Sequence, residues 1–367
     1  MFEITSTQIM YIIFAFLIAL LISFASTPIA SAIAVKVGAV DKPNKRRINK
    51  VPIPRMGGMA IYFGFLVAVL CFADIAPSEV KGILLGSLMV VVLGMLDDVY
   101  QLPAVVKFIA QILIAVFVIW HGVNVNILTN PLYPVAGPEM INLGNWGYLI
   151  TIVWIVGVTN AVNLIDGLDG LAVGTSTIAC ITLFIIALFT GEFNLAVVLI
   201  AVIGACLGFL PYNSHPAKIF MGDTGSTFLG FVMAAISVQG LFKSYAVITV
   251  AVPILILGLP IFDTSFAILR RIIKHKPVFA PDRGHLHHRL LDHGYTQKQA
   301  VYILYVISGA LSLLAIITMF VGSAQAMIFL GAMLLILVCA FVFAGGNIFK
   351  KEKHAEKEPE ERKNEDD

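Results

Sequence analysis

Apolar residues in this chain run in long unbroken stretches, and polar residues are confined to the gaps between them. A helix needs about 17 to 25 predominantly apolar residues to cross the hydrocarbon core of a bilayer. Eleven such segments are read, near residues 8–35, 57–73, 80–96, 103–120, 147–164, 168–190, 194–211, 225–241, 246–269, 300–321 and 324–345. The pattern predicts an all-α polytopic membrane domain over residues 1–349 with about eleven transmembrane helices. Residues 350–367 mix Lys and Glu without an apolar period and are expected to form a solvated, disordered tail. The opening MFEITSTQ carries no Lys or Arg, and the apolar stretch after it is too long for a signal-peptide core, so it is expected to remain as a helix.

Composition strengthens this picture. Of 367 residues, 59% are hydrophobic and 13% charged, and the mean hydropathy is +0.93. A soluble domain carries about a quarter charged residues. The four cysteines, Cys71, Cys180, Cys206 and Cys339, lie singly in apolar runs, so they suggest neither a zinc site nor a disulfide. Charge then orients the chain. With the amino terminus outside and the segments alternating, 22 of the 24 Lys and Arg fall on the inner side and only Lys81 and Lys243 on the outer. The positive-inside rule therefore places the carboxyl terminus in the cytoplasm.

Under that topology every loop rich in reactive side chains is cytoplasmic. Asp97 and Asp98 end the third segment, and such adjacent carboxylates at a membrane boundary call for a nearby cation unless they are simply a solvated helix end. Asn160, Asn163, Asp166 and Asp169 lie in NAVNLIDGLDGLAVG, where two aspartates three apart share one side of a turn and glycines allow close backbone approach. Helix capping by Asp169 is the plainer alternative. PYNSHPAKIFMGDTGST brings Asn213, His215 and Asp223, the last opening an apolar helix in a setting suited to Mg²⁺ and phosphate, or to capping alone. PDRGHLHHRL carries Arg283, His285, His287 and His288. No Cys or HExxH accompanies these histidines, so a basic pocket for pyrophosphate fits better than zinc.

These four motifs, in this order and on these loops, resemble the polyprenyl-phosphate N-acetylhexosamine-1-phosphate transferase family over most of the chain, from PRMGG at Arg55 to HLHHRL at Leu290. The resemblance implies a magnesium enzyme, with Mn²⁺ a possible substitute, in which Asp223 holds the ion with Asn163 as a second ligand. It implies catalytic roles for Asp97, Asp98 and Asp223, and nucleotide contacts from Asp166, Gly167, Leu168, Asp169 and Asn213. It further implies pyrophosphate contacts from Arg283, His285, His287 and His288, and lipid-phosphate contacts from Lys107 and Asn160. HLHHRL, the eleventh helix and the tail look like the branch using UDP-N-acetylglucosamine and undecaprenyl phosphate, rather than the muramyl-pentapeptide branch of peptidoglycan synthesis. The expected setting is a bacterial plasma membrane with the active site facing the cytoplasm, no nucleic-acid partner, and a homodimer as the default assembly. An ion-coupled transporter is the rival from another class. Its site would lie near the bilayer midplane, whereas these acids gather at helix ends, and no internal repeat is present.

A reporter fused after Asp367 should be cytoplasmic, because inverting the chain would reverse the Lys and Arg bias. A fusion reachable only from outside the cell would refute the assignment.

Overall fold

The computed structural model describes residues 5–41, 51–129, 140–240, 251–273, 275, 277, 284–320 and 331. Its helices belong to one compact unit, Met1–Met319, and Phe320–Asp367 is a second unit. The tail 350–367 and all but one residue of the expected segment 324–345 lie outside the described residues.

In chain order the helices are α1 (Ser6–Val37), α2 (Gly58–Phe72), α3 (Ser78–Tyr100), α4 (Ala104–Trp120), α5 (Trp146–Ile165), α6 (Leu171–Phe189), α7 (Phe193–Asn213), α8 (Gly222–Gly240), α9 (Ala251–Ile256), α10 (Gly258–Ile273), α11 (Leu286–Asp292) and α12 (Gln297–Thr318). Six of them, α1, α3, α5, α6, α7 and α12, are long and apolar enough to cross a membrane. The apolar helices α2 and α4 are shorter. The fold is thus a helical, multi-pass membrane architecture. Two short antiparallel hairpins add to it, β1 (Val40–Asp41) with β2 (Ile53–Pro54) and β3 (Ile127–Thr129) with β4 (Met140–Asn142).

The expected single segment 246–269 is a broken one, with α9 ending at Ile256 and α10 starting at Gly258. Pro260 explains the break, since it offers no N–H to the Ile256 carbonyl and its ring crowds that oxygen. Hydropathy registers only the apolarity of both halves.

Lipid offers no hydrophobic drive between helices, so close packing through small residues must supply it. On α1 the buried positions are Ala15, Ala19, Ser23, Thr27, Ala30 and Ala34, all small and spaced along one face. This face meets α7 and α2, and Ser23 Oγ donates to the Ala205 carbonyl of α7 at 2.7 Å. Buried threonines satisfy themselves in the same dry setting, as when Thr159 Oγ1 donates to the Ile155 carbonyl four residues back.

Helix α8 is the hub, packed by α2, α3, α5 and α6. Every residue from Thr224 to Val238 is buried. Because protein and not lipid surrounds it, α8 needs no continuous apolar surface and can begin with the small polar run GDTGST. One end of the bundle then gathers the carboxyl ends of α3, α5 and α7 and the amino ends of α4, α6 and α8, as alternating passage requires. The β1–β2 hairpin is tied to that end, with Phe220 N donating to the Pro54 carbonyl and Gly57 N to the Phe220 carbonyl, both at 2.9 Å.

A β-carbon at Gly208 would lie 2.3 Å from the Leu20 carbonyl. Gly208→Leu should therefore force α1 off α7 and cost about 1–3 kcal/mol, read as a lower melting temperature in detergent. Leu21→Ala, at a position 60% exposed toward the lipid side, should leave the melt unchanged. Equal melts for the two variants would refute the packing argument.

Candidate functional site

The site is anchored by Asp98, near the carboxyl end of α3, whose side chain is fully buried. Its Oδ1 accepts from the Asp223 backbone N–H at 3.0 Å and pairs with Arg55 Nη2 at 3.2 Å. Its Oδ2 accepts from the Thr224 N–H at 3.0 Å and from Thr224 Oγ1 at 2.6 Å. A carboxylate at the amino end of α8 satisfies otherwise orphan N–H groups and matches the helix dipole. Gly222 turns the chain into α8 at φ +72°, and a β-carbon there would lie 2.5 Å from Asp98 Oδ2. Asp98 is thereby committed to holding Asp223 in place.

Asp97 is placed differently. Its Oδ1 accepts from Leu102 N–H at 2.7 Å, and its Oδ2 pairs with Lys107 Nζ at 2.7 Å. The same ammonium reaches Asp223 Oδ2 at 3.0 Å. Asn163 Nδ2 donates to Asp223 Oδ1 at 3.1 Å and to Ser226 Oγ at 2.8 Å. Asp97, Lys107, Asp223 and Asn163, from α3, α4, α8 and α5, are therefore one cluster. Asn160 lies one turn from Asn163 and bonds Gln111 of α4, a buried residue that sequence reading did not single out.

Asp223 and Asn163 also line a cavity of about 630 Å³, together with Arg55, Asp166, Asp169 and His288. Gly167, Leu168 and Asn213 belong to the same wall. Asp97, Lys107 and Asn160 do not, so the Asp223–Asn163 pair stands between the cavity and the polar side chains of α4. Asp169 does not cap α6, where Gly170 takes that position. Its Oδ2 instead contacts His215 Nδ1 at 2.8 Å and accepts from Ala217 N–H at 3.1 Å. The polar atoms of Asn213 are used on backbone, accepting from Gly170 N–H at 3.1 Å and donating to the Ile219 carbonyl at 3.0 Å. Asp166 is half-buried on the cavity wall. Burial, then the charges of Asp223 and Asp98, push its carboxyl up to about 7.

The histidines divide. His288 faces the cavity, whereas His285 and His287 are 5% and 2% exposed. His287 packs on the aspartate loop so tightly that a β-carbon on Gly167 would meet its Nε2. Burial, followed by the neighbouring His288, pushes its imidazole down to about 3. Arg283 lies outside the described residues. Sequence reading missed Arg55 as a site residue although it stands in PRMGG, and an arginine two residues ahead of paired glycines was the available signal.

Among the described residues no three His, Cys, Asp or Glu side chains converge as a metal cage. Mg²⁺ does not require one, being held typically through one or two carboxylates, waters and substrate phosphates. The oxygen-rich set of Asp223, Asn163 and Asp97 suits that ion. Lys107, a cation already set between two carboxylates, marks the spot as built for positive charge.

His287 yields a pH prediction. Its folded pKa lies below the unfolded value of 6.5, so the stability that it contributes is complete above pH 6.5 and is lost as pH falls toward 3. His287→Phe should therefore show a smaller drop in melting temperature between pH 7 and pH 5 than the parent protein. Parallel drops would refute a neutral, buried His287.

Comparison with known proteins adds the family. The model of glycosyl transferase family 4 matches residues 80–241, the stretch from α3 through α8. The chain is 44% identical over 306 residues to a probable undecaprenyl-phosphate N-acetylglucosaminyl 1-phosphate transferase of Bacillus subtilis, covering 83% of this chain and 84% of that one. It is 34% identical over 332 residues to a decaprenyl-phosphate N-acetylglucosaminephosphotransferase of Mycobacterium leprae, covering 83% of each. With an undecaprenyl-phosphate alpha-N-acetylglucosaminyl 1-phosphate transferase of Yersinia pestis it shares 29% identity over 316 residues, 85% of this chain and 84% of the other. A chain matched at this identity over more than four fifths of its length, with the aspartates gathered at one end of its bundle, belongs to glycosyl transferase family 4.

Proposed function

We propose that this protein transfers N-acetylglucosamine-1-phosphate from UDP-N-acetylglucosamine to undecaprenyl phosphate, releasing UMP, at the cytoplasmic face of a bacterial plasma membrane. The observation that carries the reading is the place of Asp223. It borders a cavity of about 630 Å³ on one side and contacts Lys107 on the other, so a water-soluble nucleotide and a lipid-borne phosphate meet at one carboxylate. The relatives' names all carry N-acetylglucosamine, which supports this donor over the muramyl-pentapeptide one. The product would start a lipid-linked envelope glycan such as a teichoic acid.

The reaction replaces one phosphoanhydride with another. An oxygen of the lipid phosphate attacks the β-phosphorus of the UDP-sugar, the bond from that phosphorus to the UMP oxygen breaks, and UMP leaves. The barrier is repulsion between two anions, so oriented positive charge matters more than covalent chemistry. Lys107 has three N–H donors, two of them used on Asp97 and Asp223, and the third is free to hold the lipid phosphate. Asp97 orients that ammonium. A phosphate monoester has its second pKa near about 6 and is largely ionised at neutral pH, so attack needs no acyl-phosphate relay. Asp98 takes no part in that attack, because each of its oxygens is already bonded. Arg55 and His288 line the cavity where the donor's phosphates would lie. Asp223 and Asn163 would hold Mg²⁺, which supplies charge neutralisation for the pyrophosphate when bound.

The test is purified protein with undecaprenyl phosphate, Mg²⁺ and a panel of UDP-sugars, scored for UMP release. UDP-N-acetylglucosamine should be preferred in direct competition with the pentapeptide donor. Asp223→Asn, nearly isosteric but a poorer cation ligand, should lower turnover by about 10²- to 10³-fold while the protein stays folded in the membrane. Preference for the pentapeptide donor would overturn the branch, and near-normal turnover of Asp223→Asn would remove that residue from the centre.

A further inference from the structure

Asp263 lies on α10 in the stretch FDTSF, inside an otherwise apolar segment. Its side chain is 6% exposed, yet both oxygens are bonded. Oδ2 contacts His285 Nδ1 at 2.9 Å, and Oδ1 accepts from the Leu286 N–H at 2.8 Å. The short helix α11 begins at Leu286, and its N-cap residue, His285, has extended backbone and bonds no helix N–H with its own side chain. Asp263 supplies that missing acceptor from another helix. Seven residues further along α10, on the same face, Arg270 Nη1 donates to the Gly284 carbonyl at 3.0 Å. Helix α10 thus grips the start of the histidine motif at two points.

The second oxygen of Asp263 does more than cap. A carboxylate beside Nδ1 accepts that proton, which sets both the tautomer and the orientation of the ring. The His285 ring then stacks on His287 with centroids 5.8 Å apart and planes 9° from parallel. His287 sits against His288 at 4.2 Å, and His288 is the member that lines the cavity. Burying an ionisable pair is a poor route to stability by itself, and a neutral side chain would cap α11 as well.

We propose that Asp263 is the positioning residue of the histidine motif: it seats α11 and, through the His285–His287 stack, sets His288 against the phosphate side of the cavity. This inference rests on the reading of the cavity as a UDP-sugar site. In that reading the nucleoside lies against Asp166 and Asp169, which line the same cavity from other elements, so perturbing Asp263 should affect phosphate recognition more than nucleoside recognition.

The experiment uses the full chain in detergent, with uridine and UDP affinities from calorimetry and turnover from UMP release. Asp263→Asn keeps an acceptor for Leu286 N–H but turns an amide donor toward His285 Nδ1. His285→Gln keeps Asp263 on Leu286 and removes the ring. Both variants should bind uridine like the parent, bind UDP about tenfold more weakly, and turn over about 10- to 100-fold more slowly. His288→Ala should do the same, and the Asp263→Asn/His288→Ala double variant should be no worse than His288→Ala alone. Multiplied losses in the double variant, an equal loss of uridine and UDP affinity, or a lowered melting temperature with unchanged UDP affinity would each overturn the positioning role. A parent protein that prefers UDP to uridine but releases no UMP would refute the proposed transfer, and the binding comparison would still decide the role of Asp263.

Discussion

A carboxylate removed from water must find hydrogen bonds and positive charge to replace its hydration, and Asp98 finds three hydrogen bonds and an ion pair. Its partners come from two parts of the chain far apart in sequence, Arg55 after β2 and the first residues of α8. Satisfying this one charge therefore draws α3, the segment before α2 and the hub helix together. Removing a partner from a buried charge pair costs about 3–5 kcal/mol, so the arrangement is held far more firmly than helix propensity alone would hold it. Asp223, the residue next to the anchored N–H groups, inherits its position from that requirement. The Lys107 bridge and the Asn163 contact follow from where Asp223 then stands.

Much of this was legible in the sequence because lipid narrows the choices. Unbroken apolar stretches announce helices, and the motifs at their ends announce one reactive face. The locations of Asp97, Asp223, Asn163 and the DGLDG loop were readable for that reason. The distinct jobs of Asp97 and Asp98 were not, since adjacent residues on a helix point about 100° apart and only packing decides which of them meets the neighbouring helix. Asn213 was readable as a site residue, but not as one whose side chain is used on backbone. Gln111 and Asp263 were hidden inside segments read as spanning helices, where an isolated amide or a short polar step carries no periodic signal. The break between α9 and α10 was hidden too, because a hydropathy average treats proline as merely another residue. Of the histidines, the sequence could not say that one faces the cavity while two are packed away, as that depends on how Gly167 admits His287.

The resulting site is economical in its use of helix ends. Polar residues are costly within hydrocarbon and inexpensive at its margin, and each helix that stops at the margin contributes at most a few of them. Assembling a cluster from α3, α4, α5 and α8 thus requires that the helices lie close together. The small residues on α1, α7 and α8 make that closeness possible, although most of them touch no part of the site.

The wall formed by Asp223 and Asn163 has a thermodynamic consequence for the proposed transfer. An exchange of one phosphoanhydride for another is close to balanced, so its direction is set by how products are cleared and not by the bond made. Separate approaches on the two sides of that wall would send the nucleotide into a three-dimensional aqueous volume and leave the glycolipid in a two-dimensional film. Hydrolysis or reuse of UMP in the water and consumption of the glycolipid in the membrane could then draw the reaction forward independently. A cell would govern the first step of its envelope glycan from either phase, without any change in the enzyme itself.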